Sequence, residues 1–419
     1  MKKMDRNTEL KTMIHSVVTP ATGCTEPVAI ALNASTARAE LKGELRKASV
    51  KMDICLLKNA LGVGIPGFDE RGVVACVAIG IAAGDPKAGM DVLGSITPDK
   101  AEIAKTLIPL ITVQLDGSRS GLFIETILES DEDKVRVVTD GGHANITLVE
   151  HGTEFPHYET VEGSSIDGVE KYGLADFRDF ADTVDDEFLA FLKEGVEMNQ
   201  RISDAGAEMA IGRCYDKLTE KSFFDHSLIF EVQRATSCAS FARMSGVQLP
   251  VMTVTGSGNQ GISLFLTAAK AGELLHVPQE KILRGIAYAQ ALNIFIKHSL
   301  GTLSCLCSAS VASGLSGACG VMYMLGATDA QISACIKTVL GSVTGMICDG
   351  AKEGCANKVG LSCANAITAA MMAMEGFGIE AGGIVTSDDV ETLVANLSRV
   401  ANVGMTPANA TIVDIMMGK

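Results

Sequence analysis

The sequence predicts an α+β protein: a large, mainly α-helical domain with an α/β lobe inserted after the first helix. Three observations predict it. Residues 25–42 carry apolar side chains at helical spacing, residues 48–152 alternate closer to every second position, and from Ile202 onward the helical period returns. A chain of 419 residues is also too long for one small core. We assign residues 1–45 and 195–419 to the helical domain and 46–194 to the lobe.

The segment "TEPVAIALNASTARAELK", from Thr25 to Lys42, sets Val28, Ala31, Leu32, Ser35 and Ala39 on one side. Pro27 falls in its first turn, where amide donors have no helical partner to lose. Four segments then read as strands: "SVKMDICL" from Ser49, "GLFIETIL" from Gly121, "KVRVVTD" from Lys134 and "NITLVEH" from Asn145. "DGG" at Asp140–Gly142 supplies a hairpin turn. Helices over Val73–Ala83 and Lys100–Ile108 interrupt the strands. An irregular acidic stretch, Glu154–Val169, precedes Leu174, Phe177, Phe180, Val184, Phe188, Phe191 and Leu192, which open the helical half. Breaks at "LPVMTVTGSGNQG", "HSLGTLSC", "MLGATDA" and "CDGAKEGC" leave loops that can converge on one site.

With 35 basic against 50 acidic residues, the net charge of −15 disfavours nucleic acid and points to small solutes as partners. The first stretch is charged and lacks an apolar signal region, so the twelve cysteines are expected as free thiols in a reducing, cytoplasmic setting. His298–Thr328 and Met244–Ala269 hold no Asp, Glu, Lys or Arg and are long enough to cross a bilayer. Both are rich in small and polar residues, and the chain has no Trp from which to build an interfacial belt. Buried helices of a packed domain, with no membrane partner, are therefore expected. Many small apolar helical residues allow a homodimer.

Three constellations carry chemistry. Cys305 and Cys307 in "LSCLCS", with Cys348 and Cys355 in "MICDGAKEGCANK", stand at or near loops. Their spacing is not that of a structural zinc site. They read either as small buried hydrophobes or as iron–sulfur ligands, and the polar, glycine-marked loop suits Cys348 and Cys355 to the second reading. Cys24, in "TPATGCTEP", opens the first long helix. Free amides and the helix dipole there favour a thiolate base or nucleophile, while the alternative is that Cys24 or Thr25 caps the helix. "TGSGNQG", Thr255–Gly261, precedes a helix expected to begin near Ile262, and suits a carboxylate or phosphate if it is more than a turn. Gly256, Gly258 and Gly261 match GxGxxG, but the surroundings make a poor dinucleotide-binding unit. Lys58, His143 and Arg243 are candidates for holding a small anion.

Together, "GCTEP", "KNALGVGIPG", "GGHAN", "ARM", "GSGNQGI", "LSCLC" and "GMICDGAKEGCANK", in that order along nearly the whole chain, resemble the L-cysteine desulfidase family. Its many bacterial members are related to the alpha chain of iron–sulfur L-serine dehydratases. The resemblance implies that the helical domain binds a four-iron four-sulfur (4Fe-4S) cluster and is catalytic. It implies an oxygen-sensitive elimination, without pyridoxal phosphate, that turns L-cysteine into pyruvate, ammonia and hydrogen sulfide. Carried over by motif, the cluster ligands are Cys307, Cys348 and Cys355, with Cys305 left out, and Cys24 works at the substrate. Substrate contacts are expected among Thr25, Lys58, Asn59, His143, Arg243, Ser257, Asn259 and Gln260. The alternative within the resemblance is L-serine dehydration. Two departures stand out: Phe241 where relatives commonly carry an acid before "ARM", and Thr302 where they carry an arginine.

Overall fold

Asp5 accepts the amides of Asn7 and Thr8 and so starts helix α1 (Arg6–Val17). Strand β1 (Pro20–Thr22) leads into helix α2 (Thr25–Glu40). The computed structural model describes residues 5–62, 64–65, 67–94, 96–117, 119, 121–160 and 165–418. Val63 and Pro66 of "KNALGVGIPG", and residues 161–164 of the expected irregular stretch, lie outside them.

The lobe follows. Strand β2 (Leu45–Met52) ends where Asp53 accepts the amides of Cys55, Leu56 and Phe123, so "SVKMDICL" is half strand and half helix α3 (Ile54–Ala60). Alternation alone could not mark that change; the signal lies in Asp53, a poor strand residue and a strong helix cap. A short hairpin, β3 (Gly64–Ile65) and β4 (Phe68–Arg71), precedes helices α4 (Val73–Ala83) and α5 (Pro98–Leu107). Strands β5 (Ile111–Leu115), β6 (Phe123–Ser130), β7 (Lys134–Asp140) and β8 (Ile146–His151) complete a five-stranded sheet in the order β5-β2-β6-β7-β8. All neighbours are antiparallel except β2 and β5, where Val50 faces Val113 in parallel. Strand β5 was not expected; as an edge strand with mostly exposed side chains it carries little apolar alternation. Asn33 of α2 reaches onto the sheet and donates to Thr139 Oγ1 at 2.9 Å.

The expected single run of phenylalanines divides at Val184 into α6 (Leu174–Thr183) and α7 (Asp186–Ala207), with Asp185 capping the second. Phe180 and Phe188 meet edge to face across the break, their ring centroids 5.6 Å apart. Helices α8 (Ala210–Glu220) and α9 (Leu228–Met244) lead to strand β9 (Pro250–Met252). Then come α10 (Gly258–Leu274), α11 (Gln279–Leu300), α12 (Leu315–Met324), α13 (Asp329–Val343), α14 (Cys355–Met374), α15 (Val390–Arg399) and α16 (Thr406–Met416). Helix α10 starts a turn earlier than expected, inside "GSGNQG".

Apolar packing forms two large cores. One joins α1, α6, α7 and α9–α15; the other joins α2–α5, the sheet and Val413 of α16. Helix α2, assigned from the sequence to the helical domain, buries Ala29, Ile30, Ala34 and Ala37 in the lobe core. Residues 166–192, assigned to the lobe, bury Phe177, Phe180, Phe188 and Leu192 in the helical core. A helical period reveals that a face is apolar, not which neighbour covers it. Among the described residues, no helix is long and apolar enough to cross a membrane.

Candidate active site

Strands β1 and β9 pair antiparallel, Pro20 opposite Met252, and Thr253 donates its amide to Thr19 O at 2.8 Å. This pairing brings the chain entering α2 beside the chain entering α10. Cys24 occupies the cap position of α2 but makes no side-chain bond to the helix backbone, and Thr25 bonds to a side chain instead. Cys24 Sγ donates to Glu26 Oε2 at 3.0 Å, Thr25 Oγ1 donates to the same oxygen at 3.1 Å, and Asn59 Nδ2 donates to Glu26 Oε1 at 3.0 Å. Burial would raise the Glu26 carboxyl. His143 beside it, the Cys24 hydrogen bond and Arg243 outweigh that, so it titrates below the usual carboxylate range and is ionised. Burial first, and the Glu26 charge second, push the Cys24 thiol well up. The thiolate expected from the helix dipole is therefore not the resting form; Cys24 keeps its proton, aimed at Glu26.

On the α10 side, Gly256 takes φ +74° and a Cβ there would lie 2.5 Å from His143 Nδ1. A Cβ on Gly258 would lie 2.2 Å from Arg243 Nε. The two glycines thus let a buried imidazole and a buried guanidinium approach the backbone at the helix start. Thr255, just before Gly256, holds φ +45°, costly for a β-branched residue, and its Oγ1 donates to Gln260 Oε1 at 2.8 Å. Arg243 is only 4% exposed and donates through Nη1 to Asn259 Oδ1 at 3.2 Å. Its Nε and Nη2, and His143 Nε2, are buried with no partner among the described residues. Burial, reinforced by the charges of Lys297 and Arg243 and opposed by Glu26, lowers His143, leaving a neutral imidazole near pH 7. Such orphaned Arg243 donors beside a helix N-terminus can donate to a carboxylate.

The thiols lie on the third side. Cys348 N donates to Cys305 O at 2.7 Å and Cys307 N to Met346 O at 2.9 Å, so the segments 305–307 and 346–348 are joined by backbone. Cys355 is the first residue of α14, and its Sγ lies 3.6 Å from Gly350 O. Cys24 and Met244 form a small buried cluster against which Cys355 and Ala351 pack. Cys307, Cys348 and Cys355 are each half-buried, unlike Cys55, Cys76, Cys319, Cys335 and Cys363, which are buried in the apolar cores or beside them. Cys305 turns its Sγ to Met405 O at 3.0 Å. Buried Lys297 holds Thr302 O at 3.2 Å and Ser308 Oγ at 3.1 Å; burial brings its amine down to about 8, while Cys348 acts in the opposite direction. Among the described residues, no three His, Cys, Asp or Glu side chains stand at the spacing of a single metal ion. Three half-buried thiols around one loop, with ammonium groups at Lys297 and Lys358 nearby, match the donor chemistry of an iron–sulfur cluster.

A family model for the serine dehydratase alpha chain matches residues 87–414. The chain belongs to the serine dehydratase alpha-chain family. A UPF0597 protein of Oleidesulfovibrio alaskensis is 35% identical over 97% of both chains. One from Clostridium tetani is 34% identical over 99% of this chain and all of its own, and one from Caldanaerobacter subterraneus is 33% identical over 98% of both. Within this serine dehydratase-like chain, the matched region holds His143, Arg243, the α10 loop and the three loop thiols, whereas Cys24, Glu26 and Asn59 precede it.

The structure brings together Cys24, Thr25, Asn59, His143, Arg243, Asn259 and Cys355 through the contacts above, and Cys348 through its Sγ, which donates to Asn59 Oδ1 at 3.4 Å. Ser257 is half-buried at the α10 cap with no side-chain cap bond. Lys58 is wholly buried and spends its ammonium on Asn409 Oδ1 at 2.7 Å. Gln260 faces the helical core, where Ser313 Oγ also donates to its Oε1. Two residues escaped the sequence reading. Glu26, the acid of "GCTEP", could have been noticed as a charge in the first turn of α2, ahead of an apolar run. Lys297 gave no local signal, since a lysine near a helix C-terminus is ordinary.

Proposed function

We propose that the chain is an L-cysteine desulfidase that eliminates sulfide from L-cysteine without pyridoxal phosphate. The observation that carries this reading is Cys24, its proton held against an ionised Glu26, packed beside Cys355 at the loop bearing Cys348. Cys307, Cys348 and Cys355 would hold a 4Fe-4S cluster. An iron left open by three protein ligands is a Lewis acid that makes a bound thiolate a better leaving group.

The chain's own residues do the rest. The free Nε and Nη2 of Arg243, with the first amides of α10, bind the substrate carboxylate. Neutral His143 accepts from or donates to the substrate's amino group. Glu26 takes the proton of Cys24, and the thiolate formed removes the α-proton. The released electron pair makes the Cα–Cβ double bond as the Cβ–S bond breaks, and the sulfur leaves with the electrons of that bond as hydrosulfide. The aminoacrylate produced tautomerises and hydrolyses in water to pyruvate and ammonia.

Dehydration of L-serine is the second reading, favoured by the family model that matches the chain. Anaerobically purified protein should show iron, acid-labile sulfide and a broad visible band that changes when L-cysteine is added. Pyruvate from L-cysteine exceeding pyruvate from L-serine supports the desulfidase reading, and the reverse supports the dehydratase. A protein that takes up no iron after anaerobic reconstitution defeats both.

A further inference from the structure

Arg243 and Met244 are the last two residues of α9, and a helix turns consecutive side chains about 100° apart. Arg243 goes to the start of α10, where it meets Asn259. Met244 goes to Cys24, and the two form a buried cluster with Ala351 and Cys355 packed against it. We propose that Met244, with Ala351 beside it, is the specificity-determining residue for the leaving group: it lines the space for the substrate's β-substituent and favours a thiol there over a hydroxyl. The inference deepens the desulfidase reading and rests on it.

In the proposed elimination the carboxylate sits on Arg243, the α-proton at Cys24 and the leaving atom toward the thiol loop. A β-carbon so held lies against the side chains that join those three points, which are Met244 and Ala351. Alanine has no polar side-chain atom, and a thioether is only a weak acceptor. The hydroxyls nearby point their protons at carboxylates: Thr25 Oγ1 donates to Glu26 Oε2 at 3.1 Å, and Ser245 Oγ donates to Glu353 Oε1 at 3.1 Å. A substrate thiol is itself a weak donor and a weak acceptor, so it loses little on leaving water for such a wall, and the methionine sulfur is a polarisable neighbour for it. A serine hydroxyl gives up its hydrogen bonds to water and finds none on this wall. An apolar pocket discriminates against a hydroxyl by about 10²-fold. The wall is also held still. Ser237 Oγ of α9 donates to Ala356 O of α14 at 3.2 Å, and Gly360 lets the two helices approach until a Cβ there would overlap the same hydroxyl. These contacts fix the end of α9 against the loop that carries Ala351.

The test is kcat/KM for L-cysteine and for L-serine, measured as pyruvate with anaerobically reconstituted wild type, Met244→Gln, Met244→Leu and Ala351→Ser. The ratio of the two values is the readout, because a change that loosens the fold or disturbs Arg243, Cys24 or the iron weakens both substrates together. Met244→Gln keeps the length of the side chain and adds a donor and an acceptor; it should move the ratio toward serine by about tenfold or more. Met244→Leu stays apolar and should leave the ratio within about twofold of wild type. Ala351→Ser should move it in the same direction as Met244→Gln. A ratio unchanged in both polar variants, or one that moves as far in Met244→Leu as in Met244→Gln, overturns the inference and leaves the desulfidase reading standing. If Met244→Gln does not fold, an unchanged ratio in Ala351→Ser overturns it alone. A wild type that makes pyruvate from neither amino acid, or more from L-serine, overturns the desulfidase reading and the inference with it.

Discussion

Cys24 Sγ lies 3.0 Å from Glu26 Oε2, and both side chains are buried at the first turn of α2. A thiol raised by burial, facing a carboxylate held ionised, is a proton pair whose two members need one another. Cys24→Ala should keep its iron and lose turnover by at least about 10³-fold. Glu26→Gln, which keeps the shape and removes the charge, should cost about 10²–10⁴-fold in kcat with little change in KM. Steady-state pyruvate formation by iron-replete variants checks both, and full-rate turnover in Cys24→Ala ends its assignment.

Arg243 has two buried nitrogens without partners among the described residues, which a substrate carboxylate would satisfy. A charge-assisted hydrogen bond is worth about 1.5–3 kcal/mol, so Arg243→Lys, which loses the fork, should raise KM by roughly 10- to 100-fold. Gly258→Ala should do the same without touching the charge, because its Cβ would collide with Arg243 Nε. Substrate saturation curves for both variants test whether the guanidinium's position, rather than its presence, sets affinity.

The three half-buried thiols separate from the rest by what their loss removes. Cys307→Ser, Cys348→Ser and Cys355→Ser should each lower iron per chain, while Cys305→Ser, whose Sγ faces Met405 O, should not. Chelation of iron should abolish turnover without unfolding the chain, since the thiol-bearing segments are already joined by backbone hydrogen bonds. Iron analysis and circular dichroism of the same samples decide this.

Lys297 predicts a pH dependence of stability in the iron-free protein. Its amine titrates near 10.5 when unfolded and at about 8 in the fold, because burial disfavours the charge. Between those values the unfolded state binds more protons, so stability rises with pH. The span corresponds to about 3 kcal/mol. Lys297→Met should be more stable than wild type at pH 7, with the difference shrinking as pH approaches 10. Urea unfolding at several pH values measures the gap, and a gap that stays constant would place the amine's titration outside this window.

Much of the helical architecture was legible because its breaks are chemical: "HSLGTLSC" and "CDGAKEGC" end or precede helices where glycine and polar residues make continuation costly. The glycines of "TGSGNQG" signalled a loop, but not that two of them make room for His143 and Arg243, which come from other elements. Glu26 was hidden for a different reason. Its neighbours in sequence mark only a helix start, and only the fold brings Asn59 and His143 to it. Lys58 shows the opposite failure, since a lysine in a glycine-rich motif looked available and is consumed by Asn409. Strand β5 escaped because edge strands need not alternate.

Val413 of α16 is buried in the lobe core, and Asn409 of the same helix holds both Lys58 and Cys55. The lobe is therefore not closed by residues near it in sequence. During synthesis the sheet and α2–α5 emerge long before the helix that covers their last apolar position and satisfies a buried ammonium. Contacts of such long sequence separation are slow to form. A nascent lobe waits with Lys58 unpaired until α16 has been made, 351 residues after it, a natural point for chaperone engagement and for sensitivity to loss of α16.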